Sequence, residues 1–394
     1  MTQPPFEVAD IVRQHGDRFL ETHRAWLTCQ HRRVLRAITQ CRTAALGGHR
    51  DRCDDCAYPT FAYNSCRNRH CPKCLTAARN RWVAARQQEL LPVGYVHVVF
   101  TLPHTLGPLA LRNKRVVYDL LFRAVATTLL EVAANPKRLG AAIGGLMVLH
   151  TWGQQLLHHP HVHCVVPAGG LAPDSTRWVH ARPAFFLPIK VLRKLFRGKV
   201  VAGLRDAFQQ GRLHLPGTLH ALADETAFRR FLRSLYRQPW VLYAKPPFGS
   251  PAHVLHYLAR YTHRVAISNH RLVAVTDDTV AFRWKDYRHG SAVKTATVHA
   301  DEFLRRFLVH VLPKGFVRIR YFGILASRCR ADALPRCRRA LAGAPDPPPV
   351  VTVSSSRTTG PCPRCGGPMR VVEHLTARQV AIRRLLEGIP YDTS

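Results

Sequence analysis

The sequence predicts an α+β fold: an antiparallel sheet flanked by helices, with an N-terminal zinc-binding domain and a small C-terminal CxxC tail. Three observations carry this prediction. Stretches typical of strands and of helices alternate irregularly, with hairpin-type connections. Cysteines form CxxC pairs towards both ends of the chain. Hydrophobic residues make up 46% of the 394 residues, which is enough for a buried core.

The charge balance indicates a polyanionic partner. Lysine and arginine number 58 against 24 acidic residues, giving a formal net charge of +34. The excess runs along the whole chain, so nucleic acid is the first choice of partner and a membrane surface the second. No run of about 18 uncharged apolar residues occurs, so no transmembrane helix is expected. The N-terminus also lacks the basic-then-apolar order of a signal peptide.

The chain divides into three consecutive regions. Residues 1–92 hold a helical segment and a cysteine-rich module, and we expect them to form the zinc-binding domain. Residues 93–342 hold most of the predicted strands and form the expected catalytic domain. Residues 343–394 begin with a Pro- and Ser/Thr-rich linker and end in the CxxC tail. Twelve cysteines arranged in this way favour a reduced compartment with metal sites over a disulfide framework.

Hydrophobic periodicity places the elements of the chain. Helical spacing predicts helices within 6–46, 75–91, 112–134, 189–210, 224–236, 252–263 and 301–312. Runs of β-branched and aromatic residues predict strands from residues 95, 143, 161, 240 and 316, and a hairpin across 271–284.

Two CxxC pairs, Cys53/Cys56 and Cys71/Cys74, predict one structural zinc, because each pair can hold one side of a tetrahedral ion. Cys66 and His70 lie in the same module and could be alternative ligands, part of a second site, or residues that face DNA or pack within the module. A second predicted zinc site combines the tail cysteines with the nearest other cysteines, namely Cys329, Cys337, Cys362 and Cys365. Cys29, Cys41 and Cys164 are most simply buried thiols.

The run HHPHVHCVV from His158 predicts a buried strand. Because alternate side chains of a strand share a face, His161 and His163 project to the same side and can bind one metal ion. No acidic residue occurs between Glu131 and Asp174. We therefore choose Gln154 as the third ligand. The alternatives are His150, His158 and His159.

Two tyrosines, Tyr257 and Tyr261, lie four residues apart on the basic helix that follows Pro251. That spacing puts both hydroxyls on one helical face, where a phenolate could attack a phosphodiester that a metal polarises. A chance aromatic pair on a core face is the simpler interpretation. The basic, acid-free segment, which includes Arg260 and Arg264, favours the catalytic one.

Five segments of the sequence, HTWGQQLLHHPHVHCVVPAGG, YLARYTHRVAISNHRL, FRWKDYR, LPKGFVRIRYFG and CRNRHCPKC, together resemble the two-tyrosine HUH transposases of the insertion sequence 91 family. The resemblance covers nearly the whole chain. It implies an HUH-type sheet, rolling-circle-type transposition on single-stranded DNA at transposon ends and target sites, and action at the nucleoid in the bacterial cytoplasm. It also implies Tyr257 and Tyr261 as nucleophiles that form 5′-phosphotyrosines, His161 and His163 as ligands of Mg²⁺ or Mn²⁺, and the N-terminal cysteines as a zinc site.

Basic residues near these motifs are candidates for contacts with DNA: Arg67 and Arg69 in the cysteine module, Arg260 and Arg264 beside the tyrosines, and Arg283, Lys285 and Arg288 farther on. The last three alternate with Phe282, Trp284 and Tyr287, which could stack on bases or pack in the core.

Two other functions also fit the sequence. A relaxase or rolling-circle replication initiator would use the same chemistry. A non-catalytic, zinc-dependent DNA-binding regulator would account for the charge and the cysteines, but not for the histidine and tyrosine pairs. A three-carboxylate transposase is disfavoured, because both motif segments contain no acidic residue.

Overall fold

The computed structural model describes residues 4–74, 82–83, 86, 89–182, 186–248, 266–287, 289–341 and 358–387. Within these ranges the helices are α1 (Val8–Thr22), α2 (Cys29–Gln40), α3 (Gly107–Arg112), α4 (Lys114–Ala134), α5 (Ile189–Gln209), α6 (Glu225–Ser234), α7 (Ala300–Leu308), α8 (Arg330–Ala340) and α9 (Ala377–Glu387). None of these helices is long and apolar enough to cross a membrane.

The strands of the same ranges are β1 (Gly48–Cys53), β2 (Pro59–Tyr63), β3 (Tyr95–Thr101), β4 (Gly144–Trp152), β5 (His158–Pro167), β6 (Gly169–Leu171), β7 (Trp178–His180), β8 (Leu242–Phe248), β9 (Leu272–Val275), β10 (Thr279–Asp286), β11 (Ala292–His299), β12 (Ile319–Gly323), β13 (Thr358–Pro361) and β14 (Pro368–Leu375). Short 3-10 turns lie at Ala44–Leu46, His104–Leu106, Gly217–Ala223, Leu235–Arg237 and Asn269–Arg271.

The chain packs as two compact units, each assembled from separate stretches of sequence. The histidine unit comprises Trp82–Thr262 and Leu312–Pro349. The cysteine unit comprises Met1–Arg81, His263–Val311 and Val350–Ser394. The α+β class with antiparallel sheets and an N-terminal cysteine module is confirmed. The three consecutive regions stay a prediction about the sequence, and they differ from the packing units because residues 263–311 and the C-terminal tail pack within the cysteine unit.

The histidine unit is built on a five-stranded sheet in the order β12-β4-β5-β3-β8, with every neighbouring pair antiparallel. One face buries alternate apolar residues such as Phe100 and Val162 against α4 and α5. Phe100 meets Phe196 of α5 edge to face, with ring centroids 5.0 Å apart. Full burial of side chains of this size stabilises the fold by roughly 1.5–3 kcal/mol each, which fixes both helices on this face.

The opposite face of the sheet has a smaller apolar patch, formed by Leu146, Val148 and Val165. Farther along the same strands this face carries the histidines of the predicted metal site. The alternation of β5 explains the division, because Val162 and Cys164 enter the main core while His161 and His163 project to the other side.

The cysteine unit contains a four-stranded sheet in the order β13-β14-β1-β2 and a three-stranded sheet in the order β11-β10-β9. The N-terminal segment, expected to be helical over 6–46, forms two helices, and the side chain of Thr28 caps the second by accepting from the backbone N–H of His31. Phe282 is fully buried with its ring 5.9 Å from Phe303, so the suggestion that it stacks on bases is wrong. The Arg283 and Lys285 side chains are exposed on the other face of β10.

Candidate metal centres

Three imidazoles of the histidine unit meet on two neighbouring strands. His150 of β4 lies directly opposite His161 of β5, and His163 follows two residues later on the same face. One ring nitrogen of each lies within 4.8 Å of those of the other two. His150 and His163 are buried, whereas His161 is partly exposed. Three neutral imidazoles at this spacing can hold one divalent ion and leave it accessible from one side.

Hydrogen bonds to Nδ1 orient two of these rings, and one of the bonds also fixes the tautomer. Nδ1 of His161 lies 2.7 Å from the carbonyl oxygen of His159, and because a carbonyl only accepts, this nitrogen must carry the proton. Nε2 of His161 therefore keeps a free lone pair. Nδ1 of His163 lies 2.9 Å from Nε2 of His97 on β3, and if Nδ1 carries the proton of this hydrogen bond, Nε2 of His163 is the nitrogen that can bind a metal.

Burial favours the neutral form of His161 and of its neighbour His159. Burial lowers the pKa of His161 to about 4, and it also lowers the pKa of His159, with a further contribution from His104. Neutral imidazole is the form that binds metal ions, so these histidines do not have to release a proton at neutral pH before an ion binds.

The turn between β4 and β5 separates Gln154 from the strand positions of the cluster. This turn closes with a hydrogen bond from the backbone N–H of Gly153 to the carbonyl of Leu157 and another from the N–H of Leu156 to the carbonyl of Gly153, and Gln154 lies inside it. The choice of Gln154 as third ligand stays a prediction, and the structure brings His150, one of the alternatives, into the cluster. His158 is on the opposite face, where its Nε2 lies 2.8 Å from the hydroxyl of Tyr118.

His97 was not predicted as a site residue from the sequence. It is the one histidine of the predicted strand YVHVVFT, and the sequence alone cannot distinguish it from an ordinary core histidine. Only the pairing of β3 with β5 brings it to His163.

Eight cysteines form two separate tetrads in the cysteine unit. The first tetrad is Cys41, Cys66, Cys71 and Cys74, and the second is Cys53, Cys56, Cys362 and Cys365. In the first, Sγ of Cys74 lies 3.4 Å from Sγ of Cys41 and 3.5 Å from Sγ of Cys66. In the second, Sγ of Cys53 lies 3.4 Å from Sγ of Cys365, and Sγ of Cys56 lies 3.6 Å from Sγ of Cys362.

Both tetrads have the backbone of a metal-binding turn. In each, two cysteines are followed directly by a residue with positive φ: Arg42 and Arg67 in the first, Ala57 and Gly366 in the second. Such turns aim amide N–H groups at sulfur. The amides of Asn68 and Gly367 lie 3.5 and 3.4 Å from Sγ of Cys66 and Cys365. Amide donors favour thiolate, the form that binds zinc.

The charge distribution in the first tetrad also fits a cation. Hydrogen bonds shared among its sulfurs, led by those to Cys41, lower the pKa of Cys74 and raise the pKa of Cys66 and Cys71. Without a cation the four groups therefore share few negative charges, because thiolates this close repel one another. A zinc ion removes that repulsion and allows all four to bind as thiolates.

The arrangement corrects the predicted zinc ligands. The two CxxC pairs do not meet, since Cys53 and Cys56 belong to one tetrad and Cys71 and Cys74 to the other. Cys66 joins the first tetrad, and so does Cys41, which the sequence suggested was a simple buried thiol. His70 is buried next to Cys71 in sequence but belongs to neither tetrad of the described residues.

The tail cysteines find their partners far away in sequence. The pairing of β14 with β1 sets Met369 opposite Cys53, and this register carries Cys362 and Cys365 to the N-terminal module. Cys329 and Cys337, the expected partners, lie in the histidine unit at the start and near the end of α8. The predicted second zinc site is therefore wrong, because two of its four cysteines lie in the histidine unit and two in the cysteine unit.

The other predicted site residues are distributed as follows. Arg67 is exposed and Arg69 half-buried in the loop between Cys66 and Cys71. Arg283 and Lys285 share the exposed face of β10 with Tyr287 at its end, and Trp284 lies under Lys294 on the other face. The two tyrosines of the predicted nucleophile pair lie outside the described residues, as do three of the arginines: Tyr257, Tyr261, Arg260, Arg264 and Arg288.

The family models and the relatives that match this chain are all transposases. A family model described as "Putative transposase" matches residues 144–333, and a model of the "Transposase zinc-binding domain" matches residues 11–102. The chain is 52% identical over 370 residues to the protein named putative transposase y4qJ of Sinorhizobium fredii, covering 91% of this chain and 92% of that protein.

A second relative is the transposase for insertion sequence element IS801 of Pseudomonas savastanoi pv. phaseolicola. The identity is 32% over 316 residues, covering 78% of this chain and 74% of that protein. No solved structure matches this chain.

Proposed function

The chain belongs to the insertion sequence 91 family of transposases, and from that premise we propose that it nicks and rejoins single-stranded DNA through 5′-phosphotyrosine intermediates in rolling-circle-type transposition. Its substrates in this proposal are the single strands at transposon ends and the target DNA. As an enzyme acting on bacterial DNA, it would work in the cytoplasm at the nucleoid.

The observation that carries the proposal is the convergence of three imidazoles on β4 and β5. Their ring nitrogens lie within 4.8 Å of one another, and two of the rings have Nδ1 occupied by hydrogen bonds. A structural role alone would not require three histidines to face one point. A bound Mg²⁺ or Mn²⁺ would polarise the scissile phosphate there.

The ligands that we propose are His161 and His163 with one further group. His150 is the best supported by distance, and Gln154 remains a candidate from the sequence. The carbonyl of His159 holds His161 in the tautomer that presents Nε2, and His97 would do the same for His163 by accepting from its Nδ1–H, which is the usual way in which outer groups orient metal ligands.

The nucleophiles in this proposal are Tyr257 and Tyr261. The tyrosine oxygen forms a bond to phosphorus while the bond to the 3′ oxygen breaks, so a 3′-OH is released and the 5′ phosphate stays on the tyrosine. The energy of the broken bond is kept in the phosphotyrosine, so a 3′-OH can later rejoin the strand. Two nucleophiles would allow cleavage and transfer to follow each other.

The cysteine tetrads complete the proposal. The family has a zinc-binding domain, and we infer two structural zinc ions, one in each tetrad. The second ion would join the C-terminal tail to the N-terminal module, since two of its ligands come from each. Structural zinc of this kind contributes directly to the free energy of folding.

A nicking assay tests the proposal. Purified protein is incubated with Mn²⁺ and labelled single-stranded transposon ends, and a denaturing gel is read for a covalent adduct. We expect an adduct with the wild-type protein and with Mn²⁺, and none with EDTA or with His161→Ala. An adduct that forms equally well in EDTA would overturn the proposal. So would a wild-type protein that binds the ends but leaves them uncut.

A further inference from the structure

A basic groove runs along the outer edge of the five-stranded sheet in the histidine unit. Its volume is about 540 Å³, and its walls are the first two turns of α5 and the segment leading into β8. α5 contributes Lys190, Arg193, Lys194 and Arg197, which share one helical face because they are spaced by three or four residues. The first three are exposed.

None of the four cations of this groove forms an ion pair with a carboxylate of the described residues. Arg197 packs over the ring of Tyr236 at 4.8 Å and donates to its backbone carbonyl, which holds this side chain against the groove wall. A row of available cations with an aromatic neighbour is the surface that binds the backbone of a nucleic acid.

The groove is rigidly attached to the sheet. Its floor includes Trp240, whose indole packs edge to face against Phe196 of α5 and donates to the carbonyl of Leu235. Leu242, the next inward-facing residue, enters the main core. The basic face therefore has a fixed position relative to β8.

The register of the sheet connects this edge with the histidines. His163 lies opposite Val99 of β3, and Val99 lies opposite Tyr243 of β8, so all three side chains project from the same face of the sheet. Two strand spacings separate Tyr243 from His163, which is roughly 10 Å. The Tyr243 ring is 50% exposed, and Val241 beside it on this face is 57% exposed.

We propose that this groove guides the single DNA strand to the histidine cluster. The cations of α5 bind consecutive phosphates, one base stacks on Tyr243 as the strand crosses β8, and the strand continues to the phosphate at the histidines. The inference rests on the proposed function, because it assigns a path to the substrate of that site. Single-stranded DNA fits better than a duplex, since a stacking platform reads an unpaired base.

The first experiment measures binding in EDTA, so that its result does not depend on cleavage. The triple variant Lys190→Ala, Arg193→Ala and Lys194→Ala is compared with Arg212→Ala, Arg230→Ala and Arg233→Ala, which removes three exposed charges outside the groove. Arg197 is kept because it also holds Tyr236. The probe is an unstructured oligonucleotide read by fluorescence anisotropy at several salt concentrations.

We expect the groove variant to bind the oligonucleotide at least tenfold more weakly. The slope of log affinity against log salt concentration should fall in magnitude by about 2, because three phosphate contacts are lost at about 0.7 each. The control variant should keep most of the slope. If both triple variants lose affinity equally, the effect is one of net charge and the groove assignment is wrong. The same titration is made with a duplex of the same sequence, and a groove variant that weakens only duplex binding would also overturn the assignment.

The second experiment locates a base. Single-stranded DNA carrying 5-iodouracil next to the scissile phosphate is irradiated with the protein, and the cross-linked residue is identified by mass spectrometry. We expect Tyr243. Because Pro246 protects Lys245 from trypsin, residues 238–260 stay on one peptide with Tyr257, so fragment ions must separate the two tyrosines.

Substitution of Tyr243 distinguishes stacking from packing. Tyr243→Phe should retain the affinity for single-stranded DNA, whereas Tyr243→Ala should lose about tenfold of it.

If wild-type protein nicks DNA while the groove variant binds and nicks like the control, the path is wrong and the proposed function stands. If wild-type protein binds through the groove but never nicks, the proposed function fails and the path stands.

Discussion

Nε2 of His97 lies 2.9 Å from Nδ1 of His163, and the two rings stack within 7° of parallel across β3 and β5. For His163 to offer Nε2 to a metal, its Nδ1 must carry the proton, and His97 then accepts it. A buried partner in this place fixes the tautomer and the orientation of the ligand. His97 is therefore a positioning residue for the proposed metal site.

His97→Phe keeps a ring in the stack but removes the hydrogen bond. We expect the Mn²⁺ concentration for half-maximal nicking to rise about 10- to 100-fold, because loss of an outer partner weakens metal binding by about that much. Saturating Mn²⁺ should restore most of the rate. His97→Gln is the control, because its amide oxygen can accept the same hydrogen bond. Its half-maximal Mn²⁺ concentration should lie between those of the wild type and His97→Phe. An unchanged Mn²⁺ dependence in His97→Phe would contradict the positioning role.

His161→Ala and His163→Ala should each reduce nicking below detection. The affinity for single-stranded DNA in EDTA should change little, because it is distributed over many cations. Nicking is read on a denaturing gel and affinity by anisotropy with the same oligonucleotide. Either variant retaining near-normal Mn²⁺-dependent nicking would show that its histidine is not an essential ligand.

The third ligand is decided by a pair of variants. His150 is buried within the cluster and Gln154 lies in the turn beyond it, so we expect His150→Ala to weaken Mn²⁺ binding at least tenfold and Gln154→Ala to change it less than threefold. Calorimetric titration with Mn²⁺ measures both. The reverse order would restore Gln154 as the third ligand.

Metal analysis of the purified protein should give two zinc ions per chain. Cys66→Ser and Cys365→Ser should each lose one, and the double variant should lose both, because each removes a ligand from a different tetrad. Cys329→Ser is the matched control and should keep two. One zinc in the wild type, or a loss of zinc in Cys329→Ser, would contradict the two tetrads. Each loss should also lower the melting temperature.

Tyr257→Phe and Tyr261→Phe keep each ring but remove the nucleophilic oxygen. Each single variant should still form some adduct with single-stranded DNA, and the double variant should form none. Both single variants should be defective in transposition in cells, because two linked cleavages are needed there. Mass spectrometry should find the 5′ phosphate on one of these tyrosines. Finding it on Tyr243 or Tyr287, or normal transposition by the double variant, would remove the pair from the mechanism.

Sequence reasoning succeeded where the relation between residues is local. The alternation along β5 predicted that His161 and His163 share a face, and the structure has them on one face with ring centroids 4.9 Å apart. The strands predicted from residues 95, 143 and 161 and the helices predicted over 112–134 and 189–210 also agree with the structure, because periodicity is a local property. The segments that carried the family resemblance also led to the family that the comparisons support.

The cysteines show where such reasoning ends. Spacing says that Cys53 and Cys56, or Cys71 and Cys74, can hold two sides of an ion, but it cannot say which other pair completes the four. Pairing of β14 with β1, across more than 300 residues of chain, brings Cys365 to Cys53. Cys41 belongs to no CxxC pair, yet it forms the first tetrad together with Cys66 and the pair Cys71/Cys74.

The sequence by itself determined the charge, the α+β class and the paired histidines and cysteines, because these depend on composition and on spacings of two to four residues. The family followed from the resemblance of five longer segments to the insertion sequence 91 transposases. Tertiary structure alone decided that His150 and His97 join the histidines, that the cysteines divide into two tetrads, and that Tyr243 shares the metal face. Each of these depends on the register between strands distant in sequence, which is set by burial of whole faces rather than by any short motif.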